Sequence, residues 1–302
     1  MKNGKTFLTS FCFFIFALML FSCGGRTEET TPEMAQNVLK LRRFKFTEPE
    51  FFRAINLEDA VAVRGFLQAG INPNAKNDKG ETALNFAIRY KDPKITKVLV
   101  EQADLNLRDD NGNTPLFVAI KNKKDDLFDL LLEKGADPNS SGAPSEKTKN
   151  QTAVYVAILQ SRQDLLQKLL DKGADPNIAD SAGALPLSEA VLRRDANPTV
   201  VKMMLDKGAN PNAQETDGVT PLMYAAENKN INPQTRDEIV QMLLEKGADK
   251  KIKDKNGKTA LDWAKKGGNK ETAELLQNSA VNKTTNANVN QPMTADSSSN
   301  TK

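Results

Sequence analysis

A short pattern of the form Thr-Pro-Leu or Thr-Ala-Leu recurs along the chain and constrains its fold more than any other feature. Its six copies are Glu81-Thr82-Ala83-Leu84, Asn113-Thr114-Pro115-Leu116, Gln151-Thr152-Ala153-Val154, Ala184-Leu185-Pro186-Leu187, Val219-Thr220-Pro221-Leu222 and Lys258-Thr259-Ala260-Leu261. They lie about 32, 38, 33, 35 and 39 residues apart. Such a period indicates a stack of small units, each of which buries its apolar face only against its neighbours.

A second pattern recurs in phase with the first and marks the end of a helix. Its copies are 66–74 (FLQAGINPN), 131–139 (LLEKGADPN), 169–177 (LLDKGADPN), 204–212 (MLDKGANPN) and 243–251 (LLEKGADKK). The glycine supplies the left-handed residue that ends a helix, and a nearby lysine favours the negative end of the helix dipole. Turn dipeptides such as Asn111-Gly112 then precede a threonine that is placed to cap the next helix. Each unit therefore predicts a turn, a short helix, a tight corner and a longer helix.

The two patterns together resemble the ankyrin repeat over residues 51–278. The resemblance implies an all-α ankyrin-repeat solenoid of about seven helix-turn-helix repeats, in which residues 51–78 form the N-terminal cap. Members of the family often carry a histidine after Thr-Pro-Leu; because this chain has none, we expect the corresponding hydrogen bond between loops to be missing. Extra residues at 140–150 and 230–236 are expected in a finger loop and between the helices of the sixth repeat.

The resemblance also implies a concave binding surface, formed by the finger loops and the exposed sides of the first helices. The expected helix-borne contacts are Arg89, Tyr90, Lys121, Asn122, Leu159, Gln160, Leu192, Arg193, Glu227 and Asn228. The expected finger tips are Asp78, Lys79, Asp110, Asn111, Ser181, Ala182, Thr216 and Asp217. Leu159 and Leu192 either form an apolar patch near Tyr90 and Tyr155, or are covered by the 140–150 insertion or singly scattered.

The first residues of the chain predict export and a lipid anchor. Two lysines precede an apolar run at residues 7–21, which has the length of a secretory signal rather than of a membrane-spanning helix. The stretch Leu20-Phe21-Ser22-Cys23 resembles a bacterial lipobox, where the thiol is acylated and the signal is cut before the cysteine. The resemblance makes Cys23 a lipidation site. An ordinary cleaved signal and an uncleaved anchor are the alternatives.

These features divide the chain into a signal peptide (1–22), a lipidated cysteine with a linker (23–48), an ankyrin-repeat domain (49–278) and a disordered tail (279–302). The basic and apolar residues of 39–46 (LKLRRFKF) either lie on anionic lipid or pack against the first repeat as an extension of the cap. We expect a protein of the bacterial cell envelope. A glycine after Cys23 resembles the outer-membrane pattern of some bacteria, and either face of that membrane remains open.

Composition argues against catalysis, metal binding and nucleic-acid binding. Without histidine the chain lacks the commonest general base and the usual zinc ligand. Residues 109–113 resemble a calcium loop only faintly, because the twelfth position of such a loop would be Ile120 rather than Glu, and a plain turn explains them as well. The formal net charge of +3 falls to about +1 without the signal, whereas nucleic-acid binders carry a basic face. We therefore expect no enzyme activity, no cofactor, no metal and no nucleic-acid partner.

Three classes of function are compatible with these features. The favoured one is a monomeric, lipid-anchored scaffold that binds a partner protein in the cell envelope through the concave ankyrin surface. An immunity or inhibitor protein that covers an envelope toxin or enzyme is the alternative, and its gene would lie beside that of its target. Catalysis is the remote third class.

Overall fold

The computed structural model describes residues 30–90, 92–142 and 151–278, and every regular element within them is a helix. The chain divides into two compact units, Met1–Ala182 and Gly183–Lys302. The first unit holds α1 (Pro32–Leu41), α2 (Glu48–Asn56), α3 (Ala60–Gln68), α4 (Ala83–Tyr90), α5 (Pro93–Val100), α6 (Pro115–Lys121), α7 (Asp125–Glu133), α8 (Ala153–Leu159) and α9 (Gln163–Asp171). The second holds α10 (Pro186–Leu192), α11 (Pro198–Asp206), α12 (Pro221–Glu227), α13 (Pro233–Glu245), α14 (Ala260–Gly267) and α15 (Lys270–Asn278). After α1 the described helices form seven consecutive pairs, as the repeat pattern predicts.

Threonines begin the first helices of the repeats, which confirms their expected role as caps. The hydroxyls of Thr114, Thr152 and Thr220 each accept a hydrogen bond from the backbone N–H three residues further on, at 3.4, 3.2 and 3.4 Å. Thr259 forms a reciprocal capping box at the start of α14. Leu185 holds the same position before α10 and, having no hydroxyl, makes no side-chain cap.

Glycines end the second helices, and the corners that follow are hydrogen-bonded from repeat to repeat. Gly135 has a φ of 90°, and the next residue, Ala136, donates its N–H to the carbonyl of Leu131 at 2.9 Å. Beyond this corner the backbone N–H of Asp137 donates to Oδ1 of Asn106, one repeat earlier, at 2.8 Å. Equivalent bonds join the pairs Asp104–Asn74, Asp175–Asn139 and Asp249–Asn212. These bonds, from the Asp of one corner to the Asn of the preceding corner, thus fix the register between neighbouring repeats within each unit.

Helix α1 precedes the first repeat and packs against α3. Leu39 is buried, and the buried ring of Phe44 lies 5.8 Å from the ring of Phe66 in an edge-to-face arrangement. Arg42 forms an ion pair of 2.5 Å with Asp59, the N-cap residue of α3. Residues 39–46 therefore pack against the first repeat, as the cap-extension interpretation predicts, and α1 lies before the predicted domain boundary at residue 49. The physical reason is that the first repeat has no earlier repeat to cover its apolar side, and α1 covers it.

The extra residues at 230–236 lie between the helices of the sixth repeat only in part, at 230–232. Helix α13 begins at Pro233 and runs for 13 residues, so half of the insertion lengthens the helix at its start. Asn232 caps this start by accepting the N–H of Thr235 at 2.7 Å. The added turn buries Arg236, whose Nε donates to Oγ1 of Thr272 in α15 at 2.8 Å. The insertion therefore adds a contact to the last repeat.

Each unit has its own apolar core between paired helices. Phe51, Phe66 and Phe128 are fully buried in the first unit, and Met204 and Leu243 in the second. None of the described helices has both the length and the apolar character needed to cross a bilayer. The signal and Cys23, most of the 140–150 insertion and the tail from 279 lie outside the described residues, so their assignments stay predictions.

Candidate interaction surface

The finger loops are closed by hydrogen bonds of their own, and their tips are exposed. In the first finger the backbone N–H of Asn77 donates to the carbonyl of Glu81 at 3.0 Å, and the Asn77 side chain accepts from the N–H of Lys79 and of Glu81, both at 3.0 Å. The same backbone bond closes the fingers at Asp109–Asn113, Glu215–Val219 and Asp254–Lys258. All eight predicted tip residues, Asp78, Lys79, Asp110, Asn111, Ser181, Ala182, Thr216 and Asp217, are exposed. The tips are therefore accessible on a backbone that is already ordered.

Neighbouring fingers within a unit are also joined to each other. In the first unit the N–H of Asp110 donates to the carbonyl of Gly80 at 2.9 Å, and the Asp110 carboxylate pairs with Lys76 at 2.5 Å. In the second unit the N–H of Lys255 donates to the carbonyl of Asp217 at 2.9 Å. The carboxylate of Asp110 is thus already paired within the protein.

First-helix side chains also contact the finger loops, so the two form one surface within each unit. We call the exposed sides of the first helices, together with the finger tips of the same unit, the finger face. Arg89, on α4, pairs with Glu81 and lies 3.8 Å from Oδ2 of Asp109, and both carboxylates are buried. Nδ2 of Asn85 donates to Asp109 at 3.1 Å and to the carbonyl of Asn113 at 2.9 Å. The prediction that the bond between loops is missing is therefore wrong in this repeat, because an asparagine replaces the histidine.

Five of the ten predicted helix-borne contacts are exposed, namely Tyr90, Lys121, Asn122, Leu159 and Leu192. The other five are half-buried or buried, namely Arg89, Gln160, Arg193, Glu227 and Asn228. Arg193 pairs with Asp195 at 2.8 Å and Glu227 with Lys266 at 3.0 Å. These partly buried charged groups form ion pairs within their own unit, so they are less accessible to a partner than the sequence suggests.

Asn228 is a correction to the predicted site. Its side chain is buried, and Nδ2 donates to the carbonyl of Val191 at 2.8 Å and to that of Arg193 at 3.2 Å. Oδ1 accepts the N–H of Asn230 at 2.9 Å. Because every polar atom of this amide is used, Asn228 joins α12 to the end of α10 and offers nothing to a partner.

An aromatic cluster lies on the finger face of the first unit. The rings of Phe52 and Phe86 are 6.0 Å apart, and the rings of Phe86 and Tyr90 are 5.3 Å apart. Tyr90 is 53% exposed, and the Arg89 guanidinium lies 5.6 Å from the centre of its ring. The sequence prediction includes Tyr90 but misses the two phenylalanines that support it. Aromatic spacing along α2 and α4 is the signal that points to them.

A second aromatic pair lies on the finger face of the second unit. The rings of Tyr224 and Trp263 are 5.9 Å apart, edge to face. The Tyr224 hydroxyl donates to Glu215 at 2.9 Å, and Nε1 of Trp263 donates to Asp254 at 3.0 Å. Burial, together with the bond to Glu215, raises the pKa of the Tyr224 phenol well above its usual value. Sequence reasoning missed this pair, although Trp263 is the single tryptophan and both residues lie four positions after a capping threonine.

The apolar patch predicted around Leu159 and Leu192 is only partly tested. Both side chains are exposed, but they belong to different compact units, so their joint patch stays a prediction. Tyr155 is buried and does not contribute to such a patch, because its ring lies in the core of its repeat. Ile178 adds one further exposed apolar side chain in the first unit.

Acidic residues are present on the finger face, but among the described residues no group of them is arranged to hold a metal ion. In the 109–113 turn, Oδ1 of Asp109 accepts the N–H of Asn113 at 2.9 Å, which is the role of a turn-closing carboxylate. The expectations of no metal, no cofactor and no enzyme activity stay predictions.

Comparison with known proteins agrees with this arrangement. The family model described as "Ankyrin repeats (3 copies)" matches residues 51–142 and 187–290, more than half of the chain. The ankyrin repeat-containing protein P1E11.10 of Schizosaccharomyces pombe is 36% identical over 92 residues, which cover 30% of this chain and 44% of that protein. The human B-cell lymphoma 3 protein is 30% identical over 123 residues, covering 39% of this chain and 24% of that protein. The chain thus spans less than half the length of these two relatives.

Among solved structures, the chain is similar to the ankyrin repeat domain of Bcl-3, which is described as a unique member of the IkappaB protein family. The alignment has a TM-score of 0.59 and 25% sequence identity, and it covers 75% of this chain and 97% of that domain. The likeness extends over a whole solved domain rather than over a few repeats.

Proposed function

The chain belongs to the ankyrin-repeat family, and from this we propose that it binds a partner protein through its finger face while Cys23 anchors it to a membrane of the cell envelope. The observation that carries the binding proposal is the cluster of Phe52, Phe86 and Tyr90, which presents a half-exposed ring on a supported base. Exposed aromatic residues next to arginine are where the binding energy of protein interfaces concentrates.

The order of the surface supports the same proposal. The finger turns are closed by backbone and side-chain hydrogen bonds, and Arg89 is held by Glu81 and Asp109. A partner that binds such a surface immobilises few new side chains, so less of the interaction energy is lost to ordering. The surface is therefore suited to binding as it stands.

The experiment is a capture from native envelope with a tagged chain that begins at Gly24, followed by titration of the purified partner. Tyr90→Ala is expected to raise the Kd at least about tenfold, in the range of a moderate interface hot spot. Lys97→Ala, an exposed position on the second helix α5, is the matched control and should leave the Kd unchanged. Equal Kd values for the two variants would reject the finger face of the first unit as the binding site.

The same titration distinguishes the two roles that the sequence leaves open. A partner that keeps its own activity in the complex would make the protein a scaffold. A partner whose toxic or catalytic activity falls in proportion to the bound fraction would make it an inhibitor.

The anchor at Cys23 is a separate part of the proposal and rests on the lipobox. An acylated cysteine with two or three chains holds a protein on a membrane stably, whereas a single chain would not. Wild-type protein should incorporate labelled palmitate and stay with membranes that are washed at high salt, and Cys23→Ala should do neither. If Cys23→Ala still sediments with membranes after the high-salt wash, the signal is an uncleaved anchor. If wild-type protein is soluble and unlabelled, the signal is an ordinary cleaved one.

A further inference from the structure

The outer side of α1 and of the turn after it carries exposed apolar and basic side chains next to each other. We call these residues, Met34, Lys40, Leu41, Arg43, Lys45 and Phe46, the N-terminal basic face. Leu41 is 64% exposed, more than any other large apolar side chain of the described residues, and Met34 and Phe46 are 47% and 41% exposed. The same segment packs on the first repeat through Leu39 and Phe44, and the partly exposed ring of Phe46 also stacks on the ring of Phe66 at 6.1 Å. The segment thus packs on the first repeat and still leaves Met34 and Leu41 exposed.

The charge of this face is one-sided. Residues 34–47 contain four basic residues and no acidic residue, and the flanking acids, Glu33 and Glu48, lie outside it. Arg42 is paired with Asp59. Lys40, Arg43 and Lys45 are exposed and form no ion pair within the described part of the chain. Three cations are therefore free to attract an anionic surface.

The backbone at Arg43 is left-handed, with a φ of 60°, and the N–H of Phe44 donates to the carbonyl of Leu39 at 2.9 Å. Glu58, Lys123 and Ser161 end other helices of this chain with φ values of 55° to 57°. The conformation at Arg43 is therefore an ordinary helix end, and glycine fits it with less strain than a side chain does.

We propose that the N-terminal basic face lies on an anionic lipid surface. Lys40, Arg43 and Lys45 contact the lipid headgroups, and Leu41 enters the interface between headgroups and acyl chains. The inference rests in part on the proposed anchor, because the chain from Cys23 to the first described residue, Thr30, reaches at most about 25 Å. An acylated Cys23 would hold this face within that reach of the bilayer. The contact would orient the first unit on the membrane, which the lipid anchor alone would not do.

The test uses a chain that begins at Gly24, so that it carries no anchor and its result is independent of acylation. This chain keeps every residue that the structure describes, 30–90, 92–142 and 151–278. The probe is a vesicle of phosphatidylglycerol and phosphatidylcholine, compared with a vesicle of phosphatidylcholine alone, and binding is measured by co-sedimentation. We expect binding to the anionic vesicle only, with a partition coefficient that falls as salt is raised.

Variants assign the binding to this face. Each cation contributes about fivefold to the partition coefficient, so the triple variant Lys40→Gln, Arg43→Gln, Lys45→Gln should bind about a hundredfold more weakly. The matched control carries the same change of charge at three other exposed lysines of the first unit, Lys94→Gln, Lys97→Gln and Lys172→Gln. It should bind nearly as well as the parent chain.

Arg43→Gly separates lipid contact from folding. Glycine relieves the left-handed backbone, so this variant should be at least as resistant to urea as the parent chain and should still bind the anionic vesicle about fivefold more weakly. The proposal is overturned if the parent chain does not bind anionic vesicles at low salt. It is also overturned if the control loses as much binding as the triple variant, or if Arg43→Gly binds as the parent does.

Discussion

Replacement of Asn228 by alanine tests the largest correction that the structure makes to the predicted site. A residue that only contacts a partner should be dispensable for the stability of the fold, whereas a residue whose hydrogen bonds connect two repeats should not. The Asn228 amide is 4% exposed, and the carbonyl of Val191 that it bonds at 2.8 Å lies at the C-terminal end of α10, where helix carbonyls have no partner of their own. Alanine would leave this carbonyl unpaired in buried surroundings.

The expected loss follows from the bonds that are removed. The bonds to the carbonyls of Val191 and Arg193 contribute about 1 kcal/mol each, and an unsatisfied buried carbonyl adds about 1 to 2 kcal/mol, so Asn228→Ala should lower the free energy of unfolding by about 3 to 4 kcal/mol. Asn122 occupies the equivalent repeat position and is exposed, and its amide donates only to Val118 in its own helix. Asn122→Ala should therefore change the free energy of unfolding by about 0.5 kcal/mol or less.

The assay is urea unfolding followed by circular dichroism, with the fluorescence of Trp263 as a second probe of the unit that contains Asn228. Coincident transitions would justify a two-state analysis. A difference between the two variants of less than about 1 kcal/mol would refute the structural role, since it is below a single net hydrogen bond. A loss of partner affinity without a loss of stability would restore Asn228 to the contact surface.

Three further results are expected. The backbone N–H of Lys258 holds the pKa of Asp254 below its usual range, so the stability that this carboxylate contributes is present above about pH 4 and is lost as the pH falls. Asp254→Asn should therefore reduce the loss of stability at low pH, measured by urea unfolding at a series of pH values. Burial raises the pKa of Tyr224, whereas an unfolded tyrosine ionises near about pH 10; stability should therefore fall as the pH rises above 10, and Tyr224→Phe should remove this loss. Thr272→Val should cost about 1 to 3 kcal/mol in urea unfolding, because the buried Arg236 loses the acceptor of its Nε–H.

Sequence patterns predict the parts of the fold that depend on local chemistry. The capping hydroxyl of Thr114 and the left-handed Gly135 act within a few residues of their own position, so their roles follow from the chain alone. Helix α1 does not follow in this way. Helix α1 is stabilised by packing on the outer side of the first repeat, and the repeat pattern does not show what covers that side. The segment is basic and partly apolar, so its sequence does not show which of its sides is buried.

Exposure at the predicted contact positions is harder to predict, because one repeat position has different environments in different repeats. Tyr90 and Asn228 are equivalent in the pattern, yet the first is 53% exposed and the second 4%. The difference arises at the end of the helix. Asn122 occupies the same repeat position, is exposed, and follows α6 with φ −94° and ψ 10°. Asn228 follows α12 with φ −56° and ψ 107°, and the connection after it is longer. The turn at Asn228 directs the side-chain amide of Asn228 to the preceding repeat. The sequence gives the length of this connection but not the path of its backbone, so the burial of Asn228 could not be predicted.

Salt separates the two surfaces that we propose, because they differ in how their charges are used. On the finger face, Arg89 is already held by buried carboxylates of its own unit, so a partner would gain most from the ring of Tyr90. An interface that relies on apolar contact loses little affinity when salt screens charge, whereas Lys40, Arg43 and Lys45 are unpaired and act mainly through charge.

Raising the ionic strength from about 0.1 M to about 1 M shortens the screening length from about 10 Å to about 3 Å. We expect that change to release the chain from anionic vesicles while leaving the Kd for the captured partner within about threefold. A partner that is released together with the vesicles would show that its binding, too, relies on the basic residues, and would move the protein-binding site away from Tyr90.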